Sequence, residues 1–223
     1  MDEFNRILSH DLKEPLRNIV SLSQLANQDS DSSPKAKEYT RLVAANGLQL
    51  DKLLEDVGAY RSSENFAKNK AALVNTDSLI QEIVADVQTK YPLNKIVPSY
   101  IALPEVYANK FILKNVFGAI IDNAVKFQNK EEDALLEVSY WLENKKHHFK
   151  FKYNGIGMDP KFQKEIFVMF KRLNNRQTYL GSGLGLSLAD KLINKLDGEV
   201  SVLESDEGKG STFLVSFPEI PRN

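Results

Sequence analysis

The sequence contains no cysteine, which excludes disulfide bonds and thiolate metal sites. It also lacks any apolar run near the roughly 18 residues that a membrane-spanning helix needs, and Met1 precedes two acidic residues instead of a signal peptide. Lys and Arg (29) nearly balance Asp and Glu (30), so no strong positive field is present to attract nucleic acid or anionic lipid. We therefore expect a cytoplasmic protein that neither binds nucleic acid nor inserts into a membrane.

What is present is typical of a folded protein: 42% of the 223 residues are hydrophobic and 26% are charged, with room for two domains. Apolar residues recur every three or four positions in two runs, Phe4 to Leu25 and Tyr39 to Val57. A polar turn, Asn27 to Pro34, separates the runs, and Pro15 predicts a bend in the first. The pattern predicts an antiparallel helical hairpin.

Two helices of this length cannot cover their own apolar faces, so the hairpin predicts a homodimer that forms a four-helix bundle. The helical pattern is already running at Phe4 with no capping residue before it. We therefore expect the chain to be cut from a longer protein, with an upstream sensor domain lying outside this sequence.

A polar segment, Ser62 to Lys70, interrupts the helical pattern and predicts a linker, so we place one domain at 1–65 and another at 70–223. In the second domain, strands and helices mix without regular alternation, which predicts an α+β sandwich with helices on one face of a mixed sheet. The predicted helices are Thr76–Lys90, Phe111–Phe127 and Ser187–Lys195, and the predicted strands are Ala72–Asn75, Ile96–Ile101, Leu136–Leu142, Phe149–Tyr153, Val200–Leu203 and Thr212–Phe217. Two histidines, His147 and His148, fall in a charged stretch that we interpret as a solvated turn.

Three short segments have residues suited to phosphate chemistry. Gly181 to Leu186 (GSGLGL) leads into a helix, where glycines and free N–H groups could cradle phosphates, although no P-loop Gly-Lys-Ser/Thr follows. Asn123 and Lys126 lie one helical turn apart and could hold a magnesium ion and a phosphate. Asn154 to Met158 (NGIGM) ends a strand with two glycines. Taken singly, each segment is better explained as a flexible loop or a solvated face.

Taken in order, the segments resemble the sensor histidine kinases, close to the type found in bacterial phytochromes. HDLKEPLR at His10 to Arg17 looks like the histidine box of that family. The remaining similarities are DNAVKF (Asp122–Phe127) to the asparagine box, NGIGM to the first glycine box, IFVMFKRL (Ile166–Leu173) to the phenylalanine box, GSGLGL to the second glycine box, and GKGSTFLVSFP (Gly208–Pro218) to the closing strand pair.

The resemblance implies that the second domain has the Bergerat ATP-binding fold. It also implies that the γ-phosphoryl group of ATP moves to His10 and then to an aspartate on a response-regulator receiver domain. Asp11 resembles the carboxylate that orients or deprotonates the imidazole. A gyrase-like ATPase without histidine chemistry is disfavoured by the histidine box.

The implied cofactors are ATP and Mg²⁺. Asn123 resembles the magnesium ligand and Lys126 a phosphate contact. The other implied nucleotide contacts are Gly155 and Gly157 at the adenine pocket, Phe170 beside the lid over ATP, Gly181, Gly183 and Gly185 along the phosphates, and Thr212 on the adenine.

Three positions depart from the family pattern. Tyr153 stands where the family has an aspartate that accepts from the adenine amino group, and losing such a charge-assisted bond costs about 1.5 to 3 kcal/mol. Ala119 replaces an asparagine, and Glu14 replaces the threonine or asparagine used in dephosphorylation. Two interpretations stay open: a working kinase, or a degenerate kinase that acts as a dimeric scaffold or phosphotransfer module.

Overall fold

A computed structural model describes residues 16–26, 33–44, 46–47, 50, 54, 71–129, 132–169, 171–173 and 183–220. The chain divides into two compact units, 1–61 with 180–182 and 62–179 with 183–223. The domain bounds 1–65 and 70–223 stay a prediction. No helix in the described ranges is long and apolar enough to cross a membrane.

In the described part of the first unit, residues 16–26 (α1) and residues 34–44, 46–47, 50 and 54 (α2) are helical. The chain enters α2 through Ser33, whose hydroxyl accepts a hydrogen bond from the Ala36 amide at 2.9 Å, with Pro34 at the first helical position. Asn18, in the described part of α1, donates to the side chain of Asn46 in α2 at 3.3 Å. Both residues lie more than two helical turns from the connection between the helices, so the contact requires the helices to run antiparallel. The predicted antiparallel hairpin is therefore confirmed. Pro15, Glu14 and the bend predicted there lie outside the described residues.

The described part of the second unit contains two sheets. Strands β1 (Ala72–Asn75) and β3 (Glu105–Ala108) form an antiparallel pair. The larger sheet has five strands in the order β2-β4-β5-β7-β6, with β2 parallel to β4 and the other neighbours antiparallel. Its strands are β2 (Ile96–Tyr100), β4 (Ala134–Glu143), β5 (Lys146–Tyr153), β6 (Glu199–Asp206) and β7 (Gly210–Pro218).

Helices α3 (Thr76–Lys90), α4 (Lys110–Lys126) and α5 (Gly185–Ile193) pack beside this sheet. Phe117 of α4 is fully buried, with its ring centroid 5.1 Å from that of Phe149 and 5.0 Å from that of Phe151 on β5. Because side chains alternate along a strand, Tyr153 lies on the same helix-facing side as these two phenylalanines. The mixed α+β sandwich predicted from the sequence is therefore confirmed.

Asparagine caps set the starts of α3 and α4. The side chain of Asn75 accepts from the Ser78 amide at 2.9 Å, and that of Asn109 accepts from the Ile112 amide at 3.3 Å. Each bond satisfies a donor that the first helical turn leaves without a partner. The predicted bounds of α3 match those observed, and α4 begins one residue earlier than predicted.

The prediction of a solvated histidine turn was wrong. The turn is at Asn144 and Lys145, both with positive φ, and β5 already begins at Lys146. His147 is only 6% exposed, and its Nδ1 lies 3.0 Å from the Tyr140 hydroxyl. Burial lowers the pKa of His147, although the nearby carboxylate of Glu219 acts in the opposite direction. The period-two alternation from His147 through Phe151 explains the burial.

Candidate functional site

The end of α4 and the loop after β5 lie together at one end of the sheet. The Ile156 amide donates to the carbonyl oxygen of Phe127 at 2.8 Å, and Gln128 forms a β-bridge with Gly155. Asn123 and Lys126 occupy the last helical turn just before this junction. The fold therefore brings the predicted asparagine and first glycine segments side by side.

The loop from Asn154 to Met158 is fixed at both ends. At its start, the side chain of Asn154 accepts from the Leu135 amide at 2.8 Å and donates to the Asp133 carbonyl oxygen at 3.1 Å. At its end, the Met158 amide donates to the hydroxyl of Ser205 at 3.0 Å. Main-chain and side-chain bonds together thus give the loop a defined shape.

Gly155 and Gly157 allow the backbone to pack closely. A Cβ on Gly155 would lie 2.6 Å from the Phe127 carbonyl oxygen. Gly157 has φ +64°, and a Cβ there would overlap the carbonyl of Asp206. A residue with a side chain fits neither position without moving the backbone. These glycines shape the wall of the site through protein packing, whatever ligand binds there.

Tyr153 ends β5 and is only 5% exposed. Its ring stacks on Phe213 with 6.0 Å between centroids, and its Cε2 lies 3.1 Å from where a Cβ on Gly155 would be. Burial raises the pKa of Tyr153 well above its usual range, and a hydrogen bond with Ser211 lowers it by less. The residue is therefore a neutral phenol packed into the core below the glycine loop.

Thr212 does not share this face. On β7, it lies opposite Lys152 of β5 and Glu204 of β6, whereas Ser211 lies opposite Tyr153. Strand alternation therefore directs Ser211 toward the helices and Thr212 toward the other side of the sheet. Ser211 was not among the predicted site residues, and the role of Thr212 stays a prediction. The alternation of apolar residues at Phe213, Val215 and Phe217 indicates from the sequence that Ser211 lies on the same face of β7.

The start of α5 is suited to an anion. Its N-cap residue is Leu184, which has no side-chain acceptor, and Gly183 before it has φ +75°. The first amides of a helix have positive partial charge. A Cβ on Gly185 would lie 4.0 Å from the Cβ of Ala119, so this helix start packs against α4. Asn123 is one turn beyond Ala119 on the same face of α4.

The polar residues at the end of α4 point in different directions. Asp122 forms an ion pair with Lys90 and lies 3.4 Å from the Tyr91 hydroxyl, so it faces α3. Asn123 is half-buried, and the Lys126 ammonium lies 4.8 Å from the centroid of the Phe127 ring. Magnesium prefers oxygen ligands and is often held by one or two protein groups together with phosphates and water. The described residues contain no cluster of three His or acidic groups suited to a metal. The single amide oxygen of Asn123 is compatible with a magnesium ion whose other ligands are phosphate and water.

Gln128 is a further polar residue at this junction that the sequence analysis did not identify. It is 8% exposed, and its side-chain oxygen meets no donor within the described part of the chain. His10, Asp11, Phe170 and Gly181 lie outside the described residues, so their roles stay predictions.

Two family models match the chain in the predicted order. The His Kinase A (phospho-acceptor) domain matches residues 1–65, and the histidine kinase-, DNA gyrase B- and HSP90-like ATPase matches residues 108–221. The chain belongs to the sensor histidine kinase family. Sensor histidine kinases act in two-component signal transduction, and the second match indicates an ATP-binding domain.

Relatives of this histidine kinase chain include phytochromes. It is 30% identical to phytochrome-like protein Cph1 of Synechocystis sp., over 98% of the chain and 29% of that protein. It is also 30% identical to cyanobacterial phytochrome A of Nostoc sp., over 98% of the chain and 28% of that protein. The chain therefore spans less than a third of these relatives.

Solved structures of histidine kinases share the fold. Acinetobacter baumannii histidine kinase AdeS superposes with a TM-score of 0.69 at 19% identity, over 95% of this chain and 98% of that one. Full-length ShkA in complex with AMPPNP gives a TM-score of 0.64 at 22% identity, over 99% of this chain and 47% of that one.

Proposed function

We propose that this chain is the catalytic core of a two-component kinase that autophosphorylates His10 from ATP and passes the phosphoryl group to an aspartate of a response regulator. The single observation that carries the proposal is the convergence of three parts at one end of the second unit. The last turn of α4 adjoins the fixed loop after β5, and the start of α5 packs against Ala119, one turn before Asn123 on α4. Phosphoryl transfer requires mainly positioning and neutralisation of charge, which these parts can supply.

Each part has a proposed task. The side-chain oxygen of Asn123 would hold Mg²⁺, which when bound would neutralise part of the triphosphate charge. Lys126 contacts a phosphate, and the amides at the start of α5, with Gly183 and Gly185, bind along the phosphates. The loop containing Gly155 and Gly157 forms the wall on which adenine binds. Phe170, Gly181 and Thr212 are assigned from the family resemblance alone.

His10 is the proposed nucleophile. A neutral imidazole has one nitrogen free to attack while the other carries a proton, and Asp11 would orient that second nitrogen. The phosphohistidine then serves as the donor to a receiver domain. We place the chain in the cytoplasm, downstream of a sensor domain.

The hairpin is the proposed dimer interface. On α1, Leu16 is 52% exposed, Val20 is 50% exposed and Leu25 is 43% exposed. Leu16 and Val20 lie one turn apart and form an uncovered apolar stripe on the single chain. A second copy would bury this stripe in a four-helix bundle.

A second candidate function is a dimeric scaffold or phosphotransfer module with weakened nucleotide binding. The observation that favours it is the burial of Tyr153 beneath Gly155, together with Ala119 facing the start of α5. A buried phenol cannot replace a carboxylate as a charged acceptor.

Incubation with γ-labelled ATP and Mg²⁺ separates the two functions. We expect acid-labile label on the native chain, no label on His10→Ala, and full label on His148→Ala, which keeps His10 and serves as the matched control. Label that appears only after Tyr153→Asp supports the scaffold. Label that persists in His10→Ala contradicts both functions as stated here.

A further inference from the structure

Ser205 joins three segments of the chain through one oxygen atom. It lies near the end of β6 and is 5% exposed. Its hydroxyl lies 3.0 Å from the Met158 amide nitrogen, 2.8 Å from the Ser211 hydroxyl and 3.2 Å from the Gly210 carbonyl oxygen. The loop after β5, the end of β6 and the start of β7 therefore meet at this side chain.

The chemistry of the partners fixes the direction of each bond. The Met158 amide can only donate, and the Gly210 carbonyl can only accept. The single proton of Ser205 therefore goes to Gly210, and Ser211 donates its own proton to Ser205. All three bonding positions of the Ser205 hydroxyl are used. A hydroxyl with all its hydrogen bonds formed holds its partners at fixed distances. Because Ser205 is buried, loss of one of these bonds would leave a buried polar group without a partner, which is destabilising.

The backbone around Ser205 also contacts the loop after β5. The Gly208 amide donates to the Ile156 carbonyl oxygen at 2.7 Å. Gly157 packs against the backbone of Asp206, and Gly210 packs against the carbonyl of Tyr153, each too closely for a Cβ. The turn between β6 and β7 is thus the surface that supports the loop from Asn154 to Met158.

We infer that Ser205 is a positioning residue for the nucleotide, because its buried hydroxyl holds the loop that forms the wall of the base-binding site. The inference rests on the proposed function, in which that loop binds adenine. Ser205 acts through Met158 and does not contact the reacting phosphates.

The inference predicts a specific kinetic signature. Binding of the base contributes equally to the ground state and the transition state, so weakening it raises KM and leaves kcat largely unchanged. In Ser205→Ala, the Met158 amide and the Gly210 carbonyl lose their shared partner, and the wall loosens.

The test is calorimetric titration of the whole chain with Mg-ATP, together with autophosphorylation rates at saturating ATP. We expect Ser205→Ala to raise the Kd by about fivefold or more, as loss of one buried hydrogen bond implies, with kcat within about twofold. Ser205→Thr, which keeps the hydroxyl, should restore the Kd. Ser201→Ala, on the same strand and half-buried, is the matched control and should bind like the native chain.

Two outcomes overturn the inference: a folded Ser205→Ala chain with an unchanged Kd, or a fall in kcat with no change in Kd. Amide hydrogen exchange of Met158 in the native, nucleotide-free chain decides the case if the variant does not fold. Slow exchange supports the bond to Ser205, and fast exchange contradicts it. A native chain that binds no ATP refutes the proposed function instead, and the Met158 amide still reports on the bond.

Discussion

The ring of Tyr153 stacks on that of Phe213, with 6.0 Å between the centroids and 14° between the ring planes. Both residues lie on the helix-facing side of the sheet, and Tyr153 also packs against Gly155 in the loop after β5. A position that resembles a nucleotide contact is therefore also part of the hydrophobic core. Substitutions there change stability and binding together, and the two effects have to be measured separately.

Replacing Tyr153 with phenylalanine keeps the ring and removes only the hydroxyl. We expect Tyr153→Phe to lower the free energy of unfolding by about 1 kcal/mol, because this is the usual contribution of a hydrogen bond such as that to Ser211. Tyr153→Ala removes the ring and should cost about 3 kcal/mol or more. Urea denaturation measures both. An alanine variant as stable as the phenylalanine variant would contradict the packing described here.

Gly157 and Gly208 provide a matched pair of glycines with positive φ. A Cβ on Gly157 would overlap Asp206, whereas a Cβ on Gly208 (φ +77°) meets nothing within 4 Å. Gly208→Ala therefore adds only backbone strain, about 1 kcal/mol, and Gly157→Ala should cost more than about 3 kcal/mol. We also expect only Gly157→Ala to weaken ATP binding. Equal destabilisation of the two variants by thermal unfolding would show that the close approach to Asp206 is not needed.

The burial of His147 predicts a pH dependence of stability. The pKa of His147 is lower in the folded chain than in the unfolded chain. As the pH falls through about 6.5, the unfolded chain therefore binds a proton at this residue, whereas the folded chain does not. The contribution of His147 to the free energy of unfolding should be constant above about pH 7.5 and should fall as the pH is lowered toward 5.5. His147→Gln should reduce that slope.

His148→Gln is the control for this titration, since it leaves His147 in place. Urea denaturation at several pH values gives the slope for each chain. If His147→Gln and the native chain show the same slope, another group is responsible.

Asn123 and Asn115 both lie on α4 and are half-buried. The side chain of Asn115 donates to the Phe111 carbonyl oxygen at 2.8 Å within its own helix, away from the proposed site. We expect Asn123→Ala to abolish the dependence of ATP affinity on Mg²⁺, and Asn115→Ala to retain it. Titrations with and without the metal measure this difference. Native magnesium dependence in Asn123→Ala would remove this residue from the metal site.

Local signals were sufficient to predict much of the fold. The apolar period and the residues around Asn75 gave the bounds of α3, and alternation gave most strands of the larger sheet. The short strand Glu105–Ala108 was missed because its four residues are stabilised mainly by pairing with β1, which no local pattern shows. The exposure of His147 was predicted wrongly because the neighbouring lysines and histidines are polar, although its side chain is buried in the folded chain.

The candidate site shows the same division. Short motifs predicted Asn123, Lys126 and the glycines of both loops, and their roles stay predictions. Ser205 and Ser211 were not predicted, because their neighbours are far away in sequence. Ser205 bonds to Met158, 47 residues earlier, and only the register of β5, β6 and β7 brings them together.

The most direct test of His10 as the phosphoacceptor is to locate the phosphoryl group after the native chain has been incubated with Mg-ATP. Tandem mass spectrometry under neutral conditions, which preserve phosphohistidine, assigns the modified residue. We expect phosphate on His10 of the native chain and none when Asn123 is replaced by alanine. Phosphate on His147, His148 or a hydroxyl residue, or no phosphate on a chain that binds ATP, would contradict this expectation.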